Sequence, residues 1–143
     1  MKKSDPILLV EDDLIDVLNV KRGLKDIHAE NPLYVVENGE AALAFLRNSQ
    51  NPKPALILLD LNMPRMNGLE FLAILKNDPY LRLIPVIVLT TSQEAPDRRR
   101  SFELSVAGYM VKPLNYDDFI KVLETIYQYW SMSQLFECYE LPH

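Results

Sequence analysis

The chain of 143 residues contains a single cysteine, Cys138, and only two histidines, His28 and His143. One thiol cannot form an internal disulfide, which fits a reducing compartment. The two histidines are far apart in sequence and lack the short ligand spacing that zinc sites use. These shortages argue against a disulfide-stapled fold and against a metal site built from histidine or cysteine.

The chain also lacks an excess of positive charge and any long apolar run. Lysine and arginine total 15 against 20 aspartates and glutamates, a formal net charge of −5, whereas nucleic-acid binding needs a basic surface. No apolar stretch approaches the roughly 20 residues that span a bilayer, and the amino terminus lacks the apolar core of a signal peptide. We therefore expect a cytoplasmic protein whose partners are neither nucleic acid nor a membrane.

Five short apolar runs alternate with segments of helical periodicity. Runs that are apolar throughout are typical of strands buried on both faces, and strands alternating with helices predict an α/β fold, a parallel sheet covered by helices on both sides. The length suits one such domain. The predicted strands are residues 7–10, 33–36, 56–60, 86–90 and 109–112, and the last helix is predicted to begin after Asn115.

Polar residues stand at the ends of four of these strands. Glu11 and Asp12 follow the first, Asp60 ends the third, Thr90 ends the fourth and Lys112 ends the fifth. The carboxyl ends of parallel strands share one edge of a sheet, where open α/β folds bind their ligands. The sequence therefore predicts one crevice that contains three acids, a hydroxyl and an ammonium.

This set of groups indicates phosphoryl chemistry. Carboxylates held close together repel unless a proton or a cation intervenes, and oxygen ligands of this kind suit Mg²⁺. A carboxylate beside Mg²⁺ can act as a nucleophile towards phosphorus and form an aspartyl phosphate. The oxygens of the transferring group need cations and donors around them, which Lys112 and Thr90 could supply.

Residues 6–130 resemble the receiver domain of response regulators in two-component signalling. The likeness rests on Leu9-Val10-Glu11-Asp12, Asp60 in Leu59-Asp60-Leu61-Asn62-Met63-Pro64, Gly68, Thr90 and Lys112-Pro113. Each feature alone is weak, but their order across five strand–helix units is specific. The resemblance implies a doubly wound, flavodoxin-like (βα)5 fold, a five-stranded parallel sheet with strand order 2-1-3-4-5.

The resemblance implies that Asp60 is the phosphoacceptor, which takes its phosphoryl group from the phosphohistidine of a sensor histidine kinase. Asp12 and Asp60 would bind Mg²⁺ directly, Glu11 would help through a water molecule, and Asn62 would contribute its backbone carbonyl. Glu11 stands where an aspartate is commoner in the family. Its extra methylene would shift the metal geometry slightly and leave the role in place.

The resemblance also implies how phosphorylation changes the conformation of the protein. Thr90 and Lys112 would contact the phosphoryl oxygens. Tyr109 would be the aromatic switch residue, moving inward as Thr90 is drawn to the phosphate. The bond between Lys112 and Pro113 would be cis, a minority isomer that tertiary contacts must enforce.

Plainer interpretations stand beside these. Tyr109 could be ordinary half-buried packing on a strand, and Arg98-Arg99-Arg100 is most simply a solvated helix face. A phosphohydrolase or phosphotransferase would also place a nucleophilic aspartate at a strand end, but it needs a second acid two residues later, where this chain has Asn62. A pseudo-receiver would keep the fold and lose a site residue, yet none is missing.

We expect residues 1–130 to form the receiver domain and residues 131–143 to form a carboxyl-terminal tail. Thirteen residues cannot form a DNA-binding module, so the output would be contact with another protein. The protein would then be a phosphoacceptor that assists its own phosphorylation and dephosphorylation, and not an enzyme that turns over a substrate.

The end of the chain narrows the expected partners. Tyr127, Tyr129 and Trp130 lie near the end of the last helix, and the tail is rich in apolar residues, which together would expose more apolar surface than a monomer usually does. This ending resembles the small receivers paired with bacterial phytochrome histidine kinases. Those receivers form homodimers through the fourth helix, fifth strand, fifth helix and tail.

Overall fold

The computed structural model describes residues 1–135, which form five strand–helix units. The strands are β1 (Ile7–Val10), β2 (Leu33–Val36), β3 (Leu56–Leu59), β4 (Val86–Thr90) and β5 (Gly108–Val111). The helices are α1 (Leu14–Asp26), α2 (Gly39–Arg47), α3 (Gly68–Asn77), α4 (Ala95–Glu103) and α5 (Tyr116–Met132), with a 3₁₀ turn (Leu81–Leu83) before β4. In this part of the chain no helix is long and apolar enough to cross a membrane.

All five strands are parallel and lie in the order β2-β1-β3-β4-β5. The predicted fold class and strand order are therefore confirmed. The register places Val10 of β1 beside Leu59 of β3, so the next residues along both strands, Glu11 and Asp60, emerge side by side. This register is the first step in building the site.

Two separate apolar cores lie on the two faces of the sheet, as expected of a doubly wound fold. Successive side chains of a strand point to opposite faces, and every residue of β1, β3 and β4 is buried. One core joins Leu8, Val10, Ile57 and Leu59 to α2 and α3, and the other joins Ile7, Leu9, Leu56 and Leu58 to α1 and α5. The strand ends that carry the polar residues are thus held by packing on both faces.

Side-chain caps fix the helices that start at the polar edge of the sheet. Asp13 caps α1, Asn38 caps α2, Asn67 caps α3 in a capping box with Glu70, and Asn115 caps α5 as predicted. Such caps satisfy backbone N–H groups that a helix start leaves without partners. Helix α4 has no side-chain cap and carries a proline in its first turn.

Strands β1, β2 and β4 have the predicted bounds, whereas β3, β5 and α5 differ from the prediction by one or two residues. Strand β3 ends at Leu59, so Asp60 follows the strand, and β5 runs from Gly108 to Val111, so Lys112 likewise follows its strand. Helix α5 continues to Met132, past residue 130 where the receiver domain was expected to end. The segment 136–143 of the predicted tail lies outside the described residues.

Gly68 provides a test of the packing behind the site. A Cβ at this position would lie 2.5 Å from the backbone oxygen of Asp60 and 2.7 Å from the Cα of Leu61, and neither atom can move without shifting the strand end. We expect Gly68→Ala to lower the free energy of unfolding by about 2–3 kcal/mol, measured by urea denaturation.

Gly108→Ala is the matched control. Its Cβ would come no closer than 3.2 Å, to the Cδ1 atom at the flexible end of Ile87, so its effect should stay within about 1 kcal/mol. Equal destabilisation by the two alanines would contradict the argument from backbone contact.

Candidate functional site

Three carboxylates meet at the polar edge of the sheet, between β1 and β3. The backbone N–H of Asp60 donates to the carbonyl of Val10 at 3.0 Å, which extends the pairing of the two strands by one residue. Oxygens of Glu11, Asp12 and Asp60 all lie within 4.8 Å of one another. Glu11 and Asp60 are buried and Asp12 is exposed.

The side chain of Asp60 is incompletely satisfied. Its Oδ1 atom is buried and has no hydrogen-bond partner, although a buried polar atom of this kind normally has one. An orphaned carboxylate oxygen that faces two further carboxylates fits a divalent cation bound by oxygen ligands. The residues present therefore match the Mg²⁺ chemistry predicted for them.

Lys112 is the cationic group of the site. Its side chain is only 6% exposed, and its Nζ lies 2.6 Å from Glu11 Oε2, 2.8 Å from Asp16 Oδ2 and 3.9 Å from Asp60 Oδ1. The Lys112 backbone N–H donates to the carbonyl of Thr90 at 2.7 Å. This bond fixes the backbone of Lys112 beside the end of β4. Lys112 thus joins the predicted acids, but its two close partners are Glu11 and Asp16.

Burial and charge oppose each other at both Glu11 and Lys112, and the pKa of each group ends above its ordinary value. Burial raises the pKa of Glu11 to about 7, against the lowering effect of Lys112. Burial lowers the pKa of Lys112, but hydrogen bonds to Asp16 and Glu11 outweigh it and leave that pKa above its ordinary value. Lys112 is therefore charged near neutral pH, while Glu11 exchanges its proton there.

Thr90 and Tyr109 are connected through Ser92. Thr90 is fully buried, and its Oγ1 accepts a hydrogen bond from the Ser92 N–H at 3.3 Å. The Tyr109 hydroxyl donates to the Ser92 carbonyl at 2.9 Å, and the Tyr109 ring packs partly buried against the core under α2 and α3. The Ser92 hydroxyl donates to Asp97 of α4 at 2.7 Å.

An open cleft of about 630 Å³ runs over these groups. It is lined by the acids Glu11, Asp12, Asp13, Asp16 and Asp60, by Asn62, Thr91 and Lys112, and by the aliphatic residues Leu14 and Ile15. Thr91 lines this cleft, whereas its neighbour Thr90 is fully buried and does not.

The predicted cis bond before Pro113 is wrong for this structure. No peptide bond among residues 1–135 is cis, so Lys112–Pro113 is trans. The trans isomer of such a bond is favoured by about 0.5–1 kcal/mol, and the half-buried Pro113 keeps that lower-energy form.

Two contact residues were missed by sequence reasoning. Asp16 contacts Lys112 from the first turn of α1. Acids are common in first turns because they interact favourably with the helix dipole, so the sequence offered no reason to assign Asp16 to the site. Ser92 contacts Thr90 and Tyr109 through its backbone N–H and carbonyl, and backbone contacts carry no sequence signal. Of the histidines and the cysteine that we did not expect to bind a metal, His28 lies outside the site, and Cys138 and His143 fall outside the described residues.

Comparison with known proteins agrees with this geometry. Residues 7–124 match the response regulator receiver domain. The response regulator Rcp1 of Synechocystis sp. is 42% identical over 128 residues that cover 87% of each chain. A structure of the Mn²⁺-bound form of Rcp1 superimposes with a TM-score of 0.87 at 40% identity, covering 93% of this chain and 99% of the other.

A second solved structure is that of the phosphorylated cyanobacterial phytochrome response regulator RcpA. It superimposes with a TM-score of 0.87 at 34% identity, covering 94% of this chain and 99% of RcpA. Fold, site residues and sequence identity over most of the chain lead to the same conclusion. This chain belongs to the response regulator receiver domain family of two-component signalling.

Proposed function

We propose that Asp60 of this response regulator accepts a phosphoryl group from a sensor histidine kinase in a reaction that requires Mg²⁺. The observation that carries the proposal is the buried Asp60 Oδ1 without a hydrogen-bond partner, beside two further carboxylates and 3.9 Å from the Lys112 ammonium. Rcp1 and RcpA, each matched over nearly its whole length, support a regulator built around one receiver domain.

Glu11, Asp12 and Asp60 would hold the metal ion, together with the backbone carbonyl of Asn62. The existence of an Mn²⁺-bound form of Rcp1 supports binding of a divalent ion by this chain. When bound, the ion would neutralise carboxylate charge and the charge that develops on the transferring group. The protein's own part is to keep these oxygens together at the ends of two buried strands.

The proposed reaction moves the phosphoryl group from a histidine of the kinase to Asp60. An Asp60 carboxylate oxygen would attack phosphorus, a P–O bond would form, and the P–N bond to the kinase imidazole would break. The imidazole nitrogen would keep the electron pair and take up a proton. Lys112 would pair with a phosphoryl oxygen, as charge-assisted hydrogen bonds favour.

Apolar residues beside the cleft support a protein donor. Leu14, Ile15 and Leu18 on α1 are 77%, 70% and 62% exposed, and Leu114 after β5 is fully exposed. Leu14 and Ile15 line the cleft itself, so a helix of the kinase could cover them while it presents its phosphohistidine. RcpA is described as a phytochrome response regulator, which supports a phytochrome-type kinase as the partner.

The proposed readout starts at Thr90. To reach a phosphoryl oxygen, its hydroxyl would have to leave the Ser92 N–H, and the loop that carries Ser92 would follow. Tyr109, bonded to the same residue, would adjust with it, which is the switch role proposed for this pair. Only the difference between the contacts that the phosphoryl group makes in the two states could drive this change, as a population shift requires.

The output surface proposed for this shift is a homodimer interface on α4, β5, α5 and the tail. Exposed apolar residues occur on the two helices and the strand, namely Phe102 on α4, Val111 on β5 and Tyr129 on α5. The exposed arginines 98–100 would face the acids at the start of α5 in the second copy, Asp117 and Asp118, as a self-complementary interface allows.

Phosphorylation is tested with acetyl phosphate and Mg²⁺. We expect one acid-stable, base-labile phosphate per chain, seen by intact mass, that Asp60→Asn abolishes and Asp13→Asn leaves in place. Asp13 lines the same cleft, and asparagine preserves its helix cap. Absence of any label would favour a pseudo-receiver, and steady turnover of substrate would favour a phosphohydrolase.

Metal binding should depend on pH because Glu11 must lose its proton. With its pKa raised to about 7 by burial, Glu11 stabilises the folded protein most when protonated, and this contribution is lost as pH rises through 7. Below pH 7 the Mg²⁺ affinity should fall by about tenfold per pH unit, since metal must displace the proton, and above it the affinity should level off.

Calorimetric titration with MgCl₂ in buffers of different ionisation enthalpy measures both the affinity and the released proton. Glu11→Gln should remove the proton release, whereas Asp13→Asn should retain it. An affinity independent of pH on both sides of 7 would refute the role of Glu11.

The dimer proposal is tested by sedimentation velocity. We expect a dimer for the whole chain, and dissociation both on removal of residues 131–143 and in Val111→Asp, because a buried unpaired charge is costly. Val35→Asp is the matched control, since Val35 is equally exposed, at 37%, but lies on β2 at the opposite sheet edge. A monomer both with and without the tail would refute the interface.

A further inference from the structure

The Lys112 ammonium donates hydrogen bonds to Glu11 and Asp16 but not to Asp60. It has three donors, and it lies 2.6 Å from Glu11 and 2.8 Å from Asp16. Asp60 Oδ1, at 3.9 Å, is beyond hydrogen-bond distance. The lysine therefore uses two of its donors for other carboxylates, while Asp60 Oδ1 has no hydrogen-bond partner.

Asp16 differs from Glu11 in its place in the site. Glu11 belongs to the three carboxylates that could hold a metal ion, and Asp16 does not. Asp16 lies on the first turn of α1, where its backbone N–H donates to Oδ1 of the cap residue Asp13 at 3.1 Å. A cation between the three carboxylates would compete for Glu11 but would leave the bond between Asp16 and Lys112 in place.

We propose that Asp16 is a positioning residue that retains the Lys112 ammonium at rest and so sets how firmly an anionic phosphoryl group is held on Asp60. The inference rests on the proposed phosphorylation of Asp60. The Asp16 carboxylate and a phosphoryl oxygen compete for the same ammonium, so part of the attraction that Lys112 could offer to the phosphoryl group is offset by its bond to Asp16. The residue thereby weakens the phosphorylated state and shortens its lifetime.

Asp16 could instead serve only the helix, since acids in a first turn interact favourably with the helix dipole. That role involves the backbone of α1 and not Lys112. It predicts an effect of Asp16 on stability that is the same whether or not a lysine stands at position 112. The two explanations therefore separate in a variant without the lysine.

The experiment measures binding of beryllium trifluoride, a mimic of an aspartyl phosphoryl group, in saturating Mg²⁺ by fluorine NMR. Asp16→Asn keeps a hydrogen-bond acceptor and removes the charge, and we expect it to bind the probe about fivefold more tightly, as loss of a competing, partly exposed ion pair would allow. The label left by acetyl phosphate should last longer in the same proportion.

Three variants show whether the effect passes through Lys112. Asp16→Glu restores the charge and should return the affinity towards that of the wild type. Asp13→Asn removes a charge from the same cleft and the same helix start, and it should change the affinity by less than about twofold. In a Lys112→Met background, Asp16→Asn should do no more than Asp13→Asn does, which a double-mutant cycle quantifies.

The outcomes also separate this inference from the function on which it rests. If the wild type binds the probe and Asp16→Asn binds it equally well or more weakly, Asp16 does not compete for the lysine. An equal gain with and without Lys112 would likewise overturn the proposal in favour of a general charge effect. Failure of the wild type to bind the probe or accept a label would instead remove the proposed function of Asp60.

Discussion

The buried carboxylate of Asp60 is the constraint on which the rest of the site depends. Burying a carboxylate is costly unless it is paired and hydrogen-bonded, yet Asp60 Oδ1 has no hydrogen bond and its cleft is lined by five acids and one lysine. The lysine is already bound to two of those acids. A bound cation would relieve this imbalance directly, so the arrangement of charges favours a metal ion before any reaction is considered.

The fold can hold this unfavourable arrangement because the strands behind it are fully buried. Close-packed cores on both faces of β1 and β3 leave little freedom to shift either strand, and the register that pairs Val10 with Leu59 brings Glu11 beside Asp60. Gly68 adds a second restraint, since its backbone lies against Asp60 with no room for a side chain. The carboxylates therefore cannot relax apart, and their repulsion is available to favour a proton or a metal ion.

The sequence alone was sufficient to predict those features that follow from a general rule of sheet topology. Alternating strands and helices determine a parallel sheet, and the carboxyl ends of its strands must share an edge, so Asp12, Asp60 and Lys112 could be placed together from order alone. The contact of Asp16 depends on the direction of a side chain one turn into α1, and that of Ser92 on a loop backbone, which no residue pattern encodes. The isomer before Pro113 depends on local packing, and there the family resemblance was misleading.

Ser92 explains why a change at Thr90 would not stay local. Its N–H holds the Thr90 hydroxyl, its carbonyl accepts from Tyr109, and its own hydroxyl donates to Asp97. Withdrawing Thr90 would remove one of the four hydrogen bonds that Ser92 makes, and its remaining partners on β5 and at the start of α4 would adjust. Those two elements carry the exposed apolar and arginine residues proposed to contact the second copy. In the proposed mechanism, Asp60 and this contact surface are therefore linked through one loop residue, Ser92.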